Sequence, residues 1–154
     1  MRKRAVTLAV LAAVLGGVVI AQATNPLVGT WKLNVEKSKS SFKSGTTIVQ
    51  AAGDGIKFIV DLTAADGTTS HWEFTAQYDG KDYPVTGGAS IYGDAAAITR
   101  VDARTTQITN KYRGKVMSMQ TISVSADGKT RTTTTKGTDV KGQPINTVAF
   151  YEKQ

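Results

Sequence analysis

His71 and Glu73 are the pair whose side-chain types and spacing best fit acid–base or metal chemistry. His71 is the only histidine in the chain. Residues two apart on a strand share a face, so the two side chains are expected to lie together. Trp72 and Phe74 alternate with them and take the apolar face. We therefore predict an ordinary solvent-facing pair, with a working site as the alternative.

Other motifs that carry chemistry are missing from the sequence. A structural zinc site needs four ligands, and the chain has no cysteine and no second histidine. It also has no phosphate-binding glycine loop, no calcium loop and no serine–histidine–carboxylate pattern in a recognisable family context. The prediction is no catalytic residue, no metal and no cofactor.

A set of large apolar side chains carries more information than the polar residues. Two interpretations stay open: these side chains fill a core, or some of them line a cavity for a small apolar molecule. The candidate ligand-binding residues are Phe58, Trp72, Phe74, Tyr78, Tyr112, Met117 and Met119. Hydroxyl groups near predicted strand ends, at the mouth of such a cavity, would come from Tyr83, Tyr92 and Tyr112.

The elements that position these residues are short strands. Asp-Gly pairs, typical of tight hairpins, occur at Asp54-Gly55, Asp66-Gly67, Asp79-Gly80 and Asp127-Gly128. With the other turn signals they divide the chain roughly every 8–13 residues, the pattern of a meandering antiparallel sheet. Period-two alternation assigns one apolar face to Ile56, Phe58, Val60 and Leu62, another to Trp72, Phe74, Ala76 and Tyr78, and a third to Val148 and Phe150.

These patterns predict an all-β chain that closes into one antiparallel up-and-down β-barrel of about 8–10 strands, because closure removes exposed sheet edges. A two-sheet β-sandwich is the alternative. The strands are predicted over residues 28–35, 46–52, 55–64, 69–78, 82–86, 89–92, 95–102, 105–113, 115–126, 129–137 and 144–152. A bulge near Gln120-Thr121 is expected to bring Met117, Met119, Ile122 and Val124 to one face. The run "TRTTTTKGT" is interpreted as an exposed strand, with a threonine-rich recognition face as the alternative.

Residues 1–23 have the composition of a secretory signal, and residues 24–154 would form the barrel domain. Arg2, Lys3 and Arg4 precede an apolar run that ends at Ala21-Gln22-Ala23. The alternative is a retained membrane anchor. Three of the seven net positive charges belong to this segment, so residues 24–154 carry +4. We expect a periplasmic or secreted protein with no stable membrane insertion after cleavage and no nucleic-acid partner.

The stretch "GTWKLN", residues 29–34, resembles the glycine-x-tryptophan signature on the first strand of lipocalins and the wider calycin group. With Lys37-Ser38 and Phe42 it is more similar still to small exported bacterial proteins that carry a lipocalin-like label and no assigned activity. "HWEFTAQYDGKDYPVTG" and "KGQPINTVAFYEKQ" are also similar to that group, so the resemblance extends across residues 24–154.

The resemblance implies a structural signature at Gly29, Trp31 and a later arginine. In calycins the tryptophan plugs the closed end of the barrel, and an arginine from a late strand lies over it. Arg131 and Arg113 are the candidates for that arginine, and Arg131 is favoured. The chain departs from fatty-acid-binding proteins because residues 36–45 are too few for their pair of helices.

Together these observations predict an exported, non-catalytic barrel that binds a small lipophilic molecule in its interior. The alternative is a filled barrel that acts as a protein-interaction or inhibitor module of the cell envelope. An apolar cavity of about 300 Å³ or more would favour the first. The sequence leaves the ligand and the oligomeric state open.

Overall fold

A computed structural model describes residues 24–88 and 90–154, and every regular element within them is a β-strand. The strands are β1 (Gly29–Lys39), β2 (Phe42–Ala52), β3 (Gly55–Ala64), β4 (Thr69–Ala76), β5 (Asp82–Pro84), β6 (Ala95–Arg100), β7 (Thr105–Tyr112), β8 (Lys115–Val124), β9 (Thr130–Thr138) and β10 (Pro144–Lys153). The predicted signal segment, residues 1–23, lies outside the described residues. Within the described residues, no helix has the length and apolar character needed to cross a membrane.

The ten strands form one antiparallel sheet in the order β4-β3-β2-β1-β10-β9-β8-β7-β6-β5. Neighbours in sequence are neighbours in the sheet, and β1 pairs with β10. The two sheet edges meet where Glu73 of β4 and Thr86, just after β5, exchange backbone hydrogen bonds of 2.7 and 2.8 Å. This nearly closed antiparallel barrel confirms the predicted fold class and excludes the two-sheet sandwich.

Aspartate side chains hold several hairpin turns by binding the backbone two residues further on. In the β3–β4 turn, Asp66 Oδ1 accepts the Thr68 N–H at 2.8 Å, and in the β8–β9 turn Asp127 Oδ1 accepts the Lys129 N–H at 3.0 Å. Gly67 and Gly128 follow these aspartates with φ of +90° and +72°, values that favour glycine. The same contact recurs in the turns at Asp79, Asp102 and Asp139.

The first hairpin is longer than its sequence indicated. β1 continues to Lys39 and β2 begins at Phe42, although residues 36–45 lack an apolar pattern. The β1–β10 pairing shifts between Asn34 and Lys39. Ser38 bridges that irregularity, because its Oγ donates to the Asn34 carbonyl at 2.6 Å and accepts the Phe150 N–H at 2.9 Å.

Three local predictions were wrong. β8 pairs regularly with β9 through Gln120, and its irregularity lies at Met117 instead. Met119 therefore points outward and is 43% exposed. β10 is one residue out of phase with the prediction: Ala149 and Tyr151 face inward, whereas Phe150 is exposed. No strand forms over residues 90–92, the described part of the predicted strand 89–92.

Candidate functional site

The base of the barrel, where β1 starts and β10 ends, is filled by Trp31. Its side chain is fully buried, and its indole N–H donates to the Leu27 carbonyl at 2.8 Å. Trp31 faces Thr47 of β2 on one side and Lys153 of β10 on the other. Leu27, just before β1, thus packs over the Trp31 ring, and the ring plugs this end of the barrel.

Arg131 of β9 lies directly above this plug. Its guanidinium carbon is 5.4 Å from the centroid of the Trp31 ring and 4.1 Å from that of Tyr151. Its Nη2 donates to Thr47 Oγ1 at 2.9 Å. Arg113, the other candidate, lies over Tyr112 instead. Arg131 therefore lies between the base and the space above it.

A cavity of about 60 Å³ occupies the barrel interior above Arg131. It extends from Arg131 and Tyr151 at its floor to Ser40 and Phe42, beside the β1–β2 turn at the opposite end. This volume is well below the expectation of about 300 Å³ for a preformed carrier pocket. It is also smaller than the roughly 150 Å³ that accommodates benzene in an engineered protein cavity.

One side of the cavity, here called the apolar wall, comes from β3 and β4. Cross-strand pairing brings Phe58 against Phe74, whose rings stack with centroids 5.0 Å apart at 14°. Trp72 follows on the same face and meets Tyr92, from the loop before β6, edge-to-face at 5.6 Å. The apolar wall consists of Phe58, Val60, Leu62, Trp72 and Phe74.

The opposite side, here called the polar wall, comes from β7 to β10. Its polar members are Asn110, Gln120, Arg131, Thr133, Thr135 and Thr147. Three of them lie on the inward face of β9, inside the run that the sequence analysis interpreted as an exposed strand. That interpretation was wrong, because Arg131, Thr133 and Thr135 are all buried. Because residues two apart on a strand share a face, the predicted inward position of Arg131 could have placed Thr133 and Thr135 inside as well.

The polar wall contains polar atoms that are buried without a hydrogen-bond partner among the described residues. They are Arg131 Nε, Arg131 Nη1 and Thr133 Oγ1. Burial lowers the pKa of Arg131 from its ordinary value to about 10, against the opposing effect of the neighbouring Tyr151 hydroxyl, so the guanidinium is still charged at neutral pH. A buried charge and a buried hydroxyl without full hydrogen bonding are costly, and such groups call for a compensating partner.

The seven predicted ligand-binding side chains are divided by the structure. Phe58, Trp72 and Phe74 line the cavity. Tyr78 lies past the end of β4, where Asn25 donates to its hydroxyl at 2.8 Å and Arg100 covers its ring. The remaining three lie outside the cavity lining: Met119 faces solvent, and Tyr112 and Met117 flank the β7–β8 turn.

Tyr92 is the one residue of the three predicted mouth tyrosines that lines the cavity. Burial raises the pKa of its hydroxyl far above the ordinary value of 10. Tyr83 instead donates its hydroxyl hydrogen to Asp79 at 3.0 Å. Tyr92 therefore contributes an uncharged hydroxyl-bearing ring to the interior.

His71 lies on the outer surface, on the face predicted for it. Its Nδ1 is 2.7 Å from Asp61 Oδ1, whereas Glu73 pairs with Lys57 at 3.1 Å. The His71 and Asp61 side chains are about half exposed, at 48% and 58%. Within residues 24–88 and 90–154, acidic and histidine side chains form no cluster of three or more suited to a metal ion.

Comparisons with known proteins leave the family open. No protein-family model matches the chain, and no curated protein matches it either. Among solved structures, it is similar to the zebrafish ileal bile acid-binding protein in complex with cholic acid, with 13% identity and a TM-score of 0.49. That match covers 84% of this chain and 99% of the other. A similarity this distant carries no argument about ligand or activity.

Proposed function

We propose that this protein binds a small lipophilic molecule inside its barrel and performs no catalysis on it. The observation that carries the proposal is the asymmetry of the cavity. The apolar wall offers aromatic and aliphatic surface to a ligand body, and the polar wall offers amide and hydroxyl side chains to its polar end. Ligand sites typically combine a mostly apolar lining with a few placed polar groups.

The cavity volume limits the size of the proposed ligand. About 60 Å³ accommodates only a few non-hydrogen atoms unless side chains move. The rings of Phe42 and Tyr92 can move aside to enlarge the cavity, because both residues are only partly buried. We therefore expect small ligands to bind first, and longer ones only with displacement of these rings.

The proposal includes export, as in the small bacterial proteins that the sequence resembles. The charged start, the apolar run and Ala21-Gln22-Ala23 support removal of residues 1–23. N-terminal sequencing of the protein from the envelope and culture medium of its source cells tests this part. A chain that begins at residue 24 supports export and cleavage, and a chain that retains residue 1 contradicts them.

A second candidate function is a filled barrel that acts through its surface as a protein-interaction or inhibitor module. The small cavity volume is the observation that favours it. The two functions differ in interior ligand binding, which the proposed function requires and a surface module does not.

Native mass spectrometry of the full protein, purified without organic solvent, tests the proposed function. We expect either a co-purified small molecule or a single added mass after incubation with hexanoate, 1-hexanol or benzoate. If the protein purifies without a bound molecule and takes up none of these at millimolar concentration, the surface-module function replaces the proposed one.

Two neighbouring positions on β10 provide a matched pair of variants. Ala149 lines the cavity, whereas Val148 is absent from its lining and lies on the opposite face of the strand. Ala149→Leu fills the cavity and should weaken ligand binding by about tenfold or more. Its overpacking costs about 1–3 kcal/mol of stability. Val148→Leu should leave binding unchanged. Equal effects of the two variants would place the ligand outside the cavity.

A further inference from the structure

The pairing of β1 with β2 stops well before the turn that connects them. The ladder between the two strands ends with the pair of Lys32 and Thr46, and among the described residues no further pair joins them. Both strands nevertheless continue toward the turn. Residues 33–39 of β1 and 42–45 of β2 are here called the seam. Along the seam, the β ladder does not close the barrel wall.

Each strand of the seam is also irregular on its other side. The β1–β10 pairing passes from Asn34 to Lys39 with no pair between them, and the β2–β3 pairing shifts at Lys43. Bulges of this kind disrupt the ladder locally and bend the strand. Because backbone with few ladder hydrogen bonds opens at a lower free energy than the rest of a sheet, the seam is a part of the wall that can open locally.

A groove of about 280 Å³ lies over the seam on the outside of the barrel. Lys32 and Asp61 line it with exposed side chains, and Leu33 and Val35 add apolar surface. Val35 is 43% exposed although it is apolar. The groove is larger than the interior cavity, and it offers a lipophilic molecule a first contact from outside.

Gly45 lies between this groove and the interior cavity. Gly45 and Leu33 line the groove, whereas Leu62, the partner of Gly45 on β3, lines the cavity. A Cβ atom added to Gly45 would lie 2.6 Å from Leu62 Cδ2 and 3.3 Å from Leu33 Cβ, so both leucines pack directly over the glycine. At this point two leucine side chains, and not a hydrogen-bonded pair of strands, separate the outside from the interior.

We propose that the seam is the entrance through which a lipophilic ligand reaches the interior, with the groove as its first binding site. Local opening between β1 and β2 moves Leu33 away from Leu62, and Phe42, the first residue of β2, moves aside with it. The fully buried Trp31 blocks entry from the base. This inference rests on the proposed function, since it supplies the route to that same interior ligand.

A covalent bridge across the seam tests the entrance. The chain has no cysteine, so an engineered pair has no competing thiols. Val35→Cys and Lys43→Cys would face each other if the register of Lys32 and Thr46 continued. They are joined by a disulfide, or by a short thiol-reactive bridge if their Cα atoms are more than about 7 Å apart.

The rates of hexanoate binding and release are read from the NMR line shapes of the Ile108 and Ile122 methyl groups, which line the cavity. We expect the bridged protein to bind and release hexanoate at least about tenfold more slowly than the same protein with free thiols. Because a closed entrance slows passage in both directions, the dissociation constant should change by less than about twofold.

Two control pairs bridge the wall elsewhere. Thr30→Cys with Ile48→Cys joins a regular β1–β2 pair, and Glu73→Cys with Thr86→Cys joins the two sheet edges where the barrel closes. None of these four residues lines the cavity or the groove. Both bridges should leave the two rates within about twofold of the unbridged protein.

A second variant opens the entrance instead of closing it. Leu33→Ala removes the side chain that covers Gly45 from the groove and should raise both rates about tenfold or more. Leu27→Ala is the matched control, because Leu27 is also a buried leucine but lies at the base, outside the cavity lining and the groove. If Leu33→Ala does not fold, the bridged pair keeps the test decisive.

The outcomes separate the inference from the proposed function. Unchanged rates in the bridged Val35–Lys43 protein would overturn the entrance and leave the interior ligand in place. Slower binding with unchanged release would mean that the bridge deforms the site, and would also overturn it. So would equal slowing by the Glu73–Thr86 bridge. If hexanoate, 1-hexanol and benzoate all fail to bind the unmodified protein, both the inference and the proposed function fail.

Discussion

The base of the barrel and the cavity above it are built from the same strands but differ in how completely their buried polar atoms are hydrogen-bonded. At the base, the Trp31 indole N–H has the Leu27 carbonyl as its acceptor, and the ring is fully buried. In the cavity, Thr133 Oγ1 and two Arg131 nitrogens have no such partner among the described residues. Stability alone favours the first arrangement. The difference teaches that the base is fully hydrogen-bonded, whereas the wall above it keeps buried polar atoms without a partner among the described residues.

The largest expected effect is on the base. Trp31→Ala should lower the free energy of unfolding by about 3–5 kcal/mol, because a large buried ring is replaced by a cavity. Urea unfolding followed by circular dichroism measures the loss. Val116→Ala is the control, since Val116 is 54% exposed and its truncation should cost less than about 0.5 kcal/mol. A loss below about 1 kcal/mol for Trp31→Ala would mean that the ring does not plug the barrel.

The same chemical change at two threonines sharpens the comparison. Thr47→Val removes the acceptor of Arg131 Nη2 and should cost about 1–3 kcal/mol, because it leaves another buried charged donor unpaired. Thr133→Val removes a hydroxyl that has no partner, so stability should stay constant or rise by up to about 1 kcal/mol. Both are read from chemical unfolding without ligand. Equal losses at the two positions would contradict the distinction between the paired Thr47 hydroxyl and the unpartnered Thr133 hydroxyl.

A smaller effect concerns the turns, which are common to both regions. Hydrogen bonds from Ser125 and the Lys129 N–H lower the pKa of Asp127 below the ordinary value of 3.8, and analogous contacts lower those of Asp66, Asp79 and Asp102. A lowered pKa in the folded state stabilises the protein above the unfolded-state pKa, and that stability is lost as the pH falls through the folded value. Unfolding at pH 6, 4 and 3 should therefore show a decline that begins near pH 4. Asp127→Asn should reduce the decline, and a stability that does not change with pH would contradict it.

The smallest expected effect is at the outer surface. His71→Ala should change stability by less than about 0.5 kcal/mol, because the His71–Asp61 pair is exposed. Its effect on hexanoate affinity should be less than twofold. A clear loss of binding would mean that the outer face of β4, and not the cavity, contains the site.

Most of the fold could be predicted from the sequence because turn dipeptides and strand alternation are local signals. Asp-Gly turns and the alternation of Phe58 and Trp72 with polar neighbours fixed most strands and their inward faces. The interior of β9 and β10 could not be predicted in the same way. There the inward residues include Thr133, Thr147 and Ala149, while Phe150 faces outward, so apolar parity gives the wrong face.

The candidate site was predicted only for its apolar half. Phe58, Trp72 and Phe74 were identified because large side chains dominate the pattern of β3 and β4. Met119 was misplaced because the bulge predicted near Gln120-Thr121 is absent, and Met117 was misplaced because it lies at the irregularity that the β7–β8 pairing has instead. The unpartnered atoms of Arg131 depend on which groups from distant strands reach it, and only the three-dimensional arrangement contains that information.

The most direct test of an interior ligand is methyl NMR of isoleucine-labelled protein during titration with hexanoate. Ile108 and Ile122 line the cavity, whereas Ile56 and Ile98 are just as buried but lie outside its lining. We expect the methyl signals of Ile108 and Ile122 to shift and saturate while those of Ile56 and Ile98 stay in place. Unchanged signals at Ile108 and Ile122 at saturating hexanoate would contradict it.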